Sequence, residues 1–459
     1  MDKQHSGEHS RRSFLSRMGS AAVALTAPTA LGSTTDTQVE LMGRETLGET
    51  SYSANDRIQL ALIGAGGMGR ADASTATDIP GVQLVGVCDL YDGRLKKAKE
   101  TFGTDLFATQ DYREVLAREE VDAVIVATPD HWHRQISVEA MKAGKDVYCE
   151  KPMVHGLEEG PSVVEAQENN DATFQVGSQG MSSLGNEKAR ELLKKGAIGE
   201  LNYAEGFWAR NSPRGAWQYP IPEDASPETV AWETFLKDNS GRPFDPVRFF
   251  RWRNYWDYGT GVAGDLFVHL FSSLHFITGS LGPNRIVSTG GLRFWEDGRE
   301  VPDVMLGMFD YPDTDAHPPF NLSLRVNFVD GTSGSTFLRL VGSEGAMDVE
   351  WDKVTLYKNK KQEPKGPSLG KEGGGATDQR QRAEMMPPPK MVYKAQDDYE
   401  GAHYDHHMNF FEGVRGEQTV TEDAGFGYQA AAPALASNIS YRDDKIVYWN
   451  PETRKVVDA

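Results

Sequence analysis

Apolar residues fall in short, evenly spaced runs through the first third of the chain. "RIQLALIG" at 57–64, "VQLVGVC" at 82–88, "VDAVIVAT" at 121–128 and "DVYC" at 146–149 have the length and composition of buried strands. Between them, "RADASTA", "YDGRLKKAKETF", "DYREVLARE" and "HRQISVEAMKAG" mix charged and apolar positions as helices do. Strands alternating with helices predict a parallel, doubly wound sheet, with ligands beyond the carboxyl ends of its strands. After residue 178 the pattern changes. A helix over "NEKARELLKKGAIG", a strand over "LNYAEGFWA" and a helix over "GDLFVHLFSSLHFITG", stopping at Gly279, lead into strand-like runs from "RIVSTGGLRFW" to "VTLYK". The division this predicts is a nucleotide-type domain at 57–177 and an α/β domain at 178–459. Residues 359–393, rich in Lys, Gly, Gln and Pro, read as a mobile loop within the latter.

The 459 residues are 39% hydrophobic and 25% charged, with a formal net charge of −19. That charge argues against a nucleic-acid partner, which needs clustered Lys and Arg. The two cysteines, Cys88 and Cys149, end strand-like runs and read as small core residues. They are too few for a disulfide framework or a zinc site of thiolates. At the amino terminus, "SRRSFL" at 10–15 followed by "MGSAAVALTAPTAL" is basic, then weakly apolar, then small. It is too short and too rich in Ala and Thr to span a membrane, and it resembles a twin-arginine export signal over residues 1–30. Residues 31–56 lack apolar periodicity and read as a flexible linker. A periplasmic or other extracytoplasmic location is therefore expected.

"GAGGMG" gives Gly64-x-Gly66-x-x-Gly69 between a predicted strand and a predicted helix, the setting in which the pattern carries meaning. Gly64 permits the tight turn, Gly66 lets the backbone approach a pyrophosphate, and Gly69 lets helix and strand pack closely; Gly67 and Met68 lie between. Asp89, twenty positions after Gly69, can accept hydrogen bonds from ribose hydroxyls and would repel a 2′-phosphate. This points to NAD, with NADP as the alternative because Arg94 is close enough in sequence to meet a phosphate or stack on adenine. The plain reading of Asp89 is a helix cap.

"GAGGMG", "CD" at 88–89, "ATPDHWH" at 127–133, "AGKDVYCEKP" at 143–152, "FRWRNYWDYGTGVAGDLFVHL" at 250–270 and "HHMNFFEGVRG" at 406–416 together resemble the glucose–fructose oxidoreductase / inositol dehydrogenase / MocA (Gfo/Idh/MocA) family over residues 57–459. The resemblance implies a Rossmann domain followed by an α+β domain with a large open mixed, mostly antiparallel sheet. It implies cofactor contacts at Thr128, Pro129, His133, Glu150 and Lys151, a cis Lys151–Pro152 bond, and no metal. It implies that Lys151, Asp265 and His269 are catalytic. The residue types suit that role. An imidazole of ordinary pKa about 6.5 can take a hydroxyl proton, an ammonium can stabilise an alkoxide, and Asp265 sits four residues before His269 on the same predicted helix face. Position 272, where many relatives carry an aspartate, is Ser272.

Other candidates are weaker. Trp132, Arg253, Tyr255 and His406 are expected substrate contacts, with Arg210 a further one. Of Trp208, Trp217, Trp232, Trp252, Trp256, Tyr219, Tyr255 and Tyr258, only one or two are expected to touch a ligand; the rest read as packing. His131 and His133 are too close along the chain to converge on a metal. His403, His406 and His407 with Asp405 have metal-like composition, but a helical surface or pocket-rim role fits them better.

The functional expectation is an exported NAD(P)-dependent oxidoreductase acting on a ring hydroxyl of a sugar, polyol or glycoside, with a tightly held cofactor. Export of folded protein lets the cofactor load beforehand. The alternatives are an NAD-dependent glycosidase working through a transient 3-keto sugar, and a non-catalytic sugar-binding protein. Pairing into a dimer or tetramer through the open sheet face is the family default.

Overall fold

The computed structural model describes residues 37–44, 52–53, 56–213, 215–237, 241–332, 336–359 and 390–458. The expected export signal at 1–30 and residues 360–389 of the expected loop at 359–393 lie outside them. Strand β1 (Gln38–Met42) comes first. The nucleotide domain then runs β2 (Ile58–Ile63), α1 (Gly67–Asp78), β3 (Val82–Cys88), α2 (Asp92–Phe102), β4 (Phe107–Thr109), α3 (Tyr112–Leu116), β5 (Ala123–Val126), α4 (Asp130–Lys142), β6 (Asp146–Glu150), α5 (Gly160–Asn170) and β7 (Phe174–Gly177). Its six strands are parallel, in the order β4-β3-β2-β5-β6-β7. The chain order reverses between β2 and β5, so a ligand crevice opens beyond Ile63 and Val126.

The second domain contains α6 (Leu184–Lys194), β8 (Leu201–Ala209), α7 (Trp232–Leu236), α8 (Pro246–Phe250), a π-helical turn (Ala263–Phe267) continued by α9 (Val268–Thr278), and β9 (Arg285–Gly291) through β10 (Val304–Tyr311), β11 (Phe320–Asn327), β12 (Thr336–Gly342), β13 (Gly345–Glu350), β14 (Lys353–Lys358) and β15 (Lys390–Ala395). It ends in α10 (Ala402–Val414), α11 (Ala424–Asp443), β16 (Val447–Asn450) and β17 (Lys455–Val457). Eleven strands form one mixed sheet, β1-β15-β14-β13-β12-β8-β11-β10-β9-β16-β17, parallel at β1/β15 and β8/β11 and antiparallel elsewhere. Two readings need correction. Residues 38–42 of the expected linker are an edge strand paired with β15, and residues 390–393 of the expected loop belong to β15 itself.

The sheet buries one face. Along β10, Met305, Phe309 and Tyr311 point inward while Leu306 and Met308 stay exposed, the two-residue period of a half-covered strand. Phe309 meets Phe267 and Phe271 edge-on, which seats the π-turn and α9 against the sheet. A continuous apolar cluster runs from Val126 and Cys149 through Phe271 to Leu340, so the two domains share a core. On the other face of the parallel sheet, Phe410 and Phe411 of α10 pack with Leu60, Leu62 and Ile125. A third cluster is aromatic, with Tyr91, Trp232, Phe235, Phe249, Trp252, Tyr255 and Tyr258. Both cysteines are free and buried.

Phe309 is fully buried. Phe309→Ala is expected to lower unfolding stability by about 3–5 kcal/mol, read from the urea midpoint, because the sheet and helix around it cannot collapse fully into the cavity.

Candidate active site

The turn after β2 forms the first wall. Gly64 has φ 98°, and a Cβ there would lie 2.5 Å from the Ala127 carbonyl oxygen; one at Gly69 would lie 2.0 Å from the Gly64 oxygen. Cβ atoms at Gly66 and Gly67 would meet nothing within 4 Å. The first pair is thus glycine for packing, and the second leaves bare backbone facing a cavity of about 510 Å³. Helix α1 has no side-chain cap at Gly66 and no acidic residue in its first turn. Its amino-terminal N–H groups and partial positive charge are left to an anion, which fits a dinucleotide pyrophosphate. Met68, Thr128, Pro129, Asp89 and Arg94 line the same cavity.

Asp89 directly follows β3 and does two things. Its Oδ1 accepts the Tyr91 N–H at 2.9 Å, the turn-capping role, and stands 3.5 Å from Arg94. The Arg94 guanidinium lies over the Phe250 ring at 5.3 Å. Beside Asp89 a narrow slot is walled by Leu90, Gln110, Tyr112, Trp132 and Phe249. Trp132 therefore belongs to the nucleotide end, its indole N–H donating to the Phe235 carbonyl, rather than to the substrate. The proximity of the glycine cradle, Asp89 and an apolar slot fits NAD.

Lys151 follows β6, and the Lys151–Pro152 bond is cis. The Lys151 Nζ donates to both the backbone oxygen and the Oδ1 of Asp265, at 2.9 and 3.0 Å. Arg253 Nε donates to the same Oδ1 at 3.2 Å. Burial pushes the Asp265 carboxyl up, but Lys151 and Arg253 outweigh it and hold the group well below the usual carboxylate range. His133 differs from its expected role as a cofactor contact. Its two ring nitrogens face the Pro152 and Thr128 carbonyl oxygens at 2.8 and 2.9 Å. Two acceptors require two N–H donors, so the ring is an imidazolium. Burial opposes that charge, while Cys149, Asp130 and the Pro152 carbonyl raise the ring to about 10. His133 staples the Lys151 loop to the end of β5. Glu150 is likewise buried, accepting from Gln179 Nε2 at 2.7 Å; burial and then the Asp72 charge raise its pKa.

Asp265 lies in the π-turn and His269 begins the α-helix after it, so the expected single α-helical face is interrupted between them. Such turns recur at functional sites because they re-aim side chains. His269 lines a cavity of about 320 Å³ with Asn186, Trp208, Ser273, Glu350 and Trp351. Its ring lies 5.2 Å from Trp208 and 6.1 Å from Trp351. Burial, and then the Lys151 cation, push its pKa well below 6.5, so it is neutral at physiological pH. Its buried Nδ1 has no hydrogen-bond partner among the described residues. Asp265 therefore links two spaces, touching Arg253 on the wall of the nucleotide cavity and lying one helical turn from His269 on the wall of the other.

Two further expected substrate contacts are not there. Tyr255 is buried in the aromatic cluster with Arg248 4.1 Å over its ring. His406 is fully buried, with Nδ1 on the Ser182 hydroxyl and Nε2 on the Val176 carbonyl oxygen. Both are structural. Ser272 does not reach a cavity either; its hydroxyl donates to Glu422 at 3.1 Å, and Glu422 is itself buried, its pKa raised by that burial to about 8.

A family model described as "Oxidoreductase family, NAD-binding Rossmann fold" matches residues 58–178, and one described as "Oxidoreductase family, C-terminal alpha/beta domain" matches 190–445. The chain belongs to the Gfo/Idh/MocA oxidoreductase family. It is 29% identical over 234 residues to the "Glycosyl hydrolase family 109 protein 2" of Shewanella sp. (strain ANA-3), covering 49% of this chain and 50% of that one. It is 32% identical over 160 residues to the inositol 2-dehydrogenase of Rubrobacter xylanophilus, covering 34% and 45%. The chain thus spans about half the length of the curated relatives it matches. Among solved structures, the WlbA dehydrogenase of Bordetella pertussis with NADH and UDP-GlcNAcA has the same fold, with a TM-score of 0.61 at 16% identity over 86% of this chain and 99% of that one.

Within this Gfo/Idh/MocA protein, Arg70, Tyr219 and Trp252 on the nucleotide cavity and Asn186, Trp208 and Trp351 beside His269 complete the walls. Trp208, Tyr219 and Trp252 stood in the aromatic-rich stretch of the sequence. Trp351 sits alone in the β13–β14 turn, and Arg70 carried no signal beyond following the last glycine.

Gly69→Ala is expected to abolish nucleotide retention by forcing β2 and α1 apart, read as nucleotide released per chain on denaturation. Glu422 gives a pH effect. A carboxyl raised from about 4.5 to about 8 contributes stability that is complete below pH 4.5 and lost as pH rises through 8. Glu422→Gln is expected to flatten the decline in thermal midpoint between pH 5 and pH 8.5.

Proposed function

We propose that this protein is an exported, NAD-dependent oxidoreductase of a ring hydroxyl in a sugar, polyol or glycoside, with its nucleotide tightly held. The observation that carries the reading is a neutral, buried His269 placed beside a Lys151–Asp265–Arg253 charge cluster that reaches the nucleotide cavity. When bound, the nicotinamide supplies a hydride acceptor and returns the hydride in the reverse direction. The chain handles the proton and the charge. His269, unprotonated, takes the proton of the substrate hydroxyl. Lys151 stabilises the oxygen as its negative charge grows. Asp265 fixes Lys151 through two hydrogen bonds, and Arg253 shares the same carboxylate oxygen. Trp208 and Trp351, near the imidazole, offer faces for the apolar side of a ring.

A second reading, glycosidase action through a transient 3-keto sugar, is favoured by the likeness to a protein named for glycosyl hydrolase family 109. There His269 would serve the same oxidation, elimination and water addition would follow, and hydride return would leave no net redox change. Exposed Leu306 and Met308 on the open sheet face support pairing of two copies.

The deciding experiment denatures the purified protein and identifies the released nucleotide by mass spectrometry, then screens glycosides for keto product or free sugar. About one NAD(H) per chain is expected; an empty protein would overturn the tightly held cofactor. His269→Ala should keep the nucleotide and lose at least ~10²-fold in turnover. The acid limb of the wild-type rate profile should fall below pH 6.5, since His269 is depressed and stays neutral above it.

A further inference from the structure

The three histidines of "AHYDHH" separate in the structure. His406 turns inward to Ser182 and Val176, and Asp405 pairs with Arg44 and Tyr399. His403 and His407, one turn apart on α10, instead converge on Asp72 of α1, more than three hundred residues away in sequence. We propose that Asp72, His403 and His407 form a binding site for one first-row divalent cation, of which zinc is the type, clipping α10 to the nucleotide-binding helix.

Three observations carry this. The first is distance. His403 Nε2 and His407 Nε2 lie 2.9 and 3.5 Å from the same Asp72 Oδ1, and the three donor atoms all fall within 4.8 Å of one another. Donors about 2.0–2.1 Å from a tetrahedral zinc stand about 3.3–3.4 Å apart, so small shifts would seat the ion. The second is incomplete satisfaction. Asp72 is fully buried, yet its Oδ2 has no partner, and neither has the buried His407 Nδ1. A hydrogen-bonded latch would spread two imidazoles over both carboxylate oxygens; here both crowd one. The third is that the donors are held. His403 Nδ1 meets the Thr75 hydroxyl at 3.1 Å, and the His407 ring stacks on Tyr148 at 4.3 Å. These contacts aim both Nε2 atoms at Asp72, as partners outside a metal's ligand shell do. Two imidazoles and a carboxylate suit zinc, cobalt or iron rather than calcium or magnesium. His403 is partly exposed, which gives the ion a way in and leaves a coordination position for water. No other described trio of histidine, cysteine or carboxylate side chains has this arrangement.

The test uses the full chain, stripped with a chelator and desalted. Zinc is titrated calorimetrically, and cobalt is added in parallel for its visible absorption. One equivalent of zinc, a raised thermal midpoint and a visible cobalt band would support the site. Asp72→Asn keeps the size and a hydrogen-bond acceptor but removes the charge, and should weaken zinc at least ~tenfold. His403→Gln, at the exposed rim, should do the same without touching the core. No zinc bound, or equal binding by wild type and both variants, would overturn the proposal. If Asp72→Asn unfolds, the His403→Gln comparison decides alone.

Discussion

The buried Lys151–Asp265 ion pair is the constraint around which the rest is arranged. The ammonium comes from the end of a parallel strand and the carboxylate from a π-turn in the other domain. Neither charge is tolerable in the interior without the other. Removing one partner of such a pair leaves an uncompensated charge at a cost of about 3–5 kcal/mol. The pair therefore fixes the two domains in one register. Arg253 adds a second cation to the same oxygen, so the cluster as a whole is positive. Burial is the main reason His269 is neutral, and the Lys151 cation adds to it, since an imidazolium there would set a second positive charge in the same dry space.

The histidines of this protein show how little a residue type says without its partners. His133, between two carbonyls, is held charged, whereas His131 and His275 are driven down to about 3 by burial. His133 is a structural cation that braces the Lys151 loop, and His269 is neutral and is the base in the reaction we propose.

The parallel sheet was legible because its strands are continuous apolar runs and its glycines have a local steric reason. Lys151, Asp265 and His269 were singled out through the family resemblance, and the structure places the first two in contact and the third one turn further on. Tyr255 and His406 were misread because burial depends on what packs over a side chain, and those elements arrive from distant sequence. Phe249 and Phe250 close the cluster around Tyr255, and Val176 takes the His406 ring. Trp351 escaped notice for the same reason in reverse. Nothing near it in sequence suggests a site, and only the β13–β14 turn brings it to α9. The π-turn left no trace in the periodicity, because the helix is buried on nearly every side and has no polar face whose phase one extra residue could shift.

Strand β1 has a consequence for the order in which the protein assembles. It pairs in parallel with β15, and Arg44 just beyond it reaches Glu187 and Asp405. The earliest described residues to be synthesised thus have no seat until residue 395 has been made and placed. Such long-range closure is slow and comes late. A chain ending before residue 390 would leave β1 without its only neighbour among the described strands of the sheet and β14 with a bare edge.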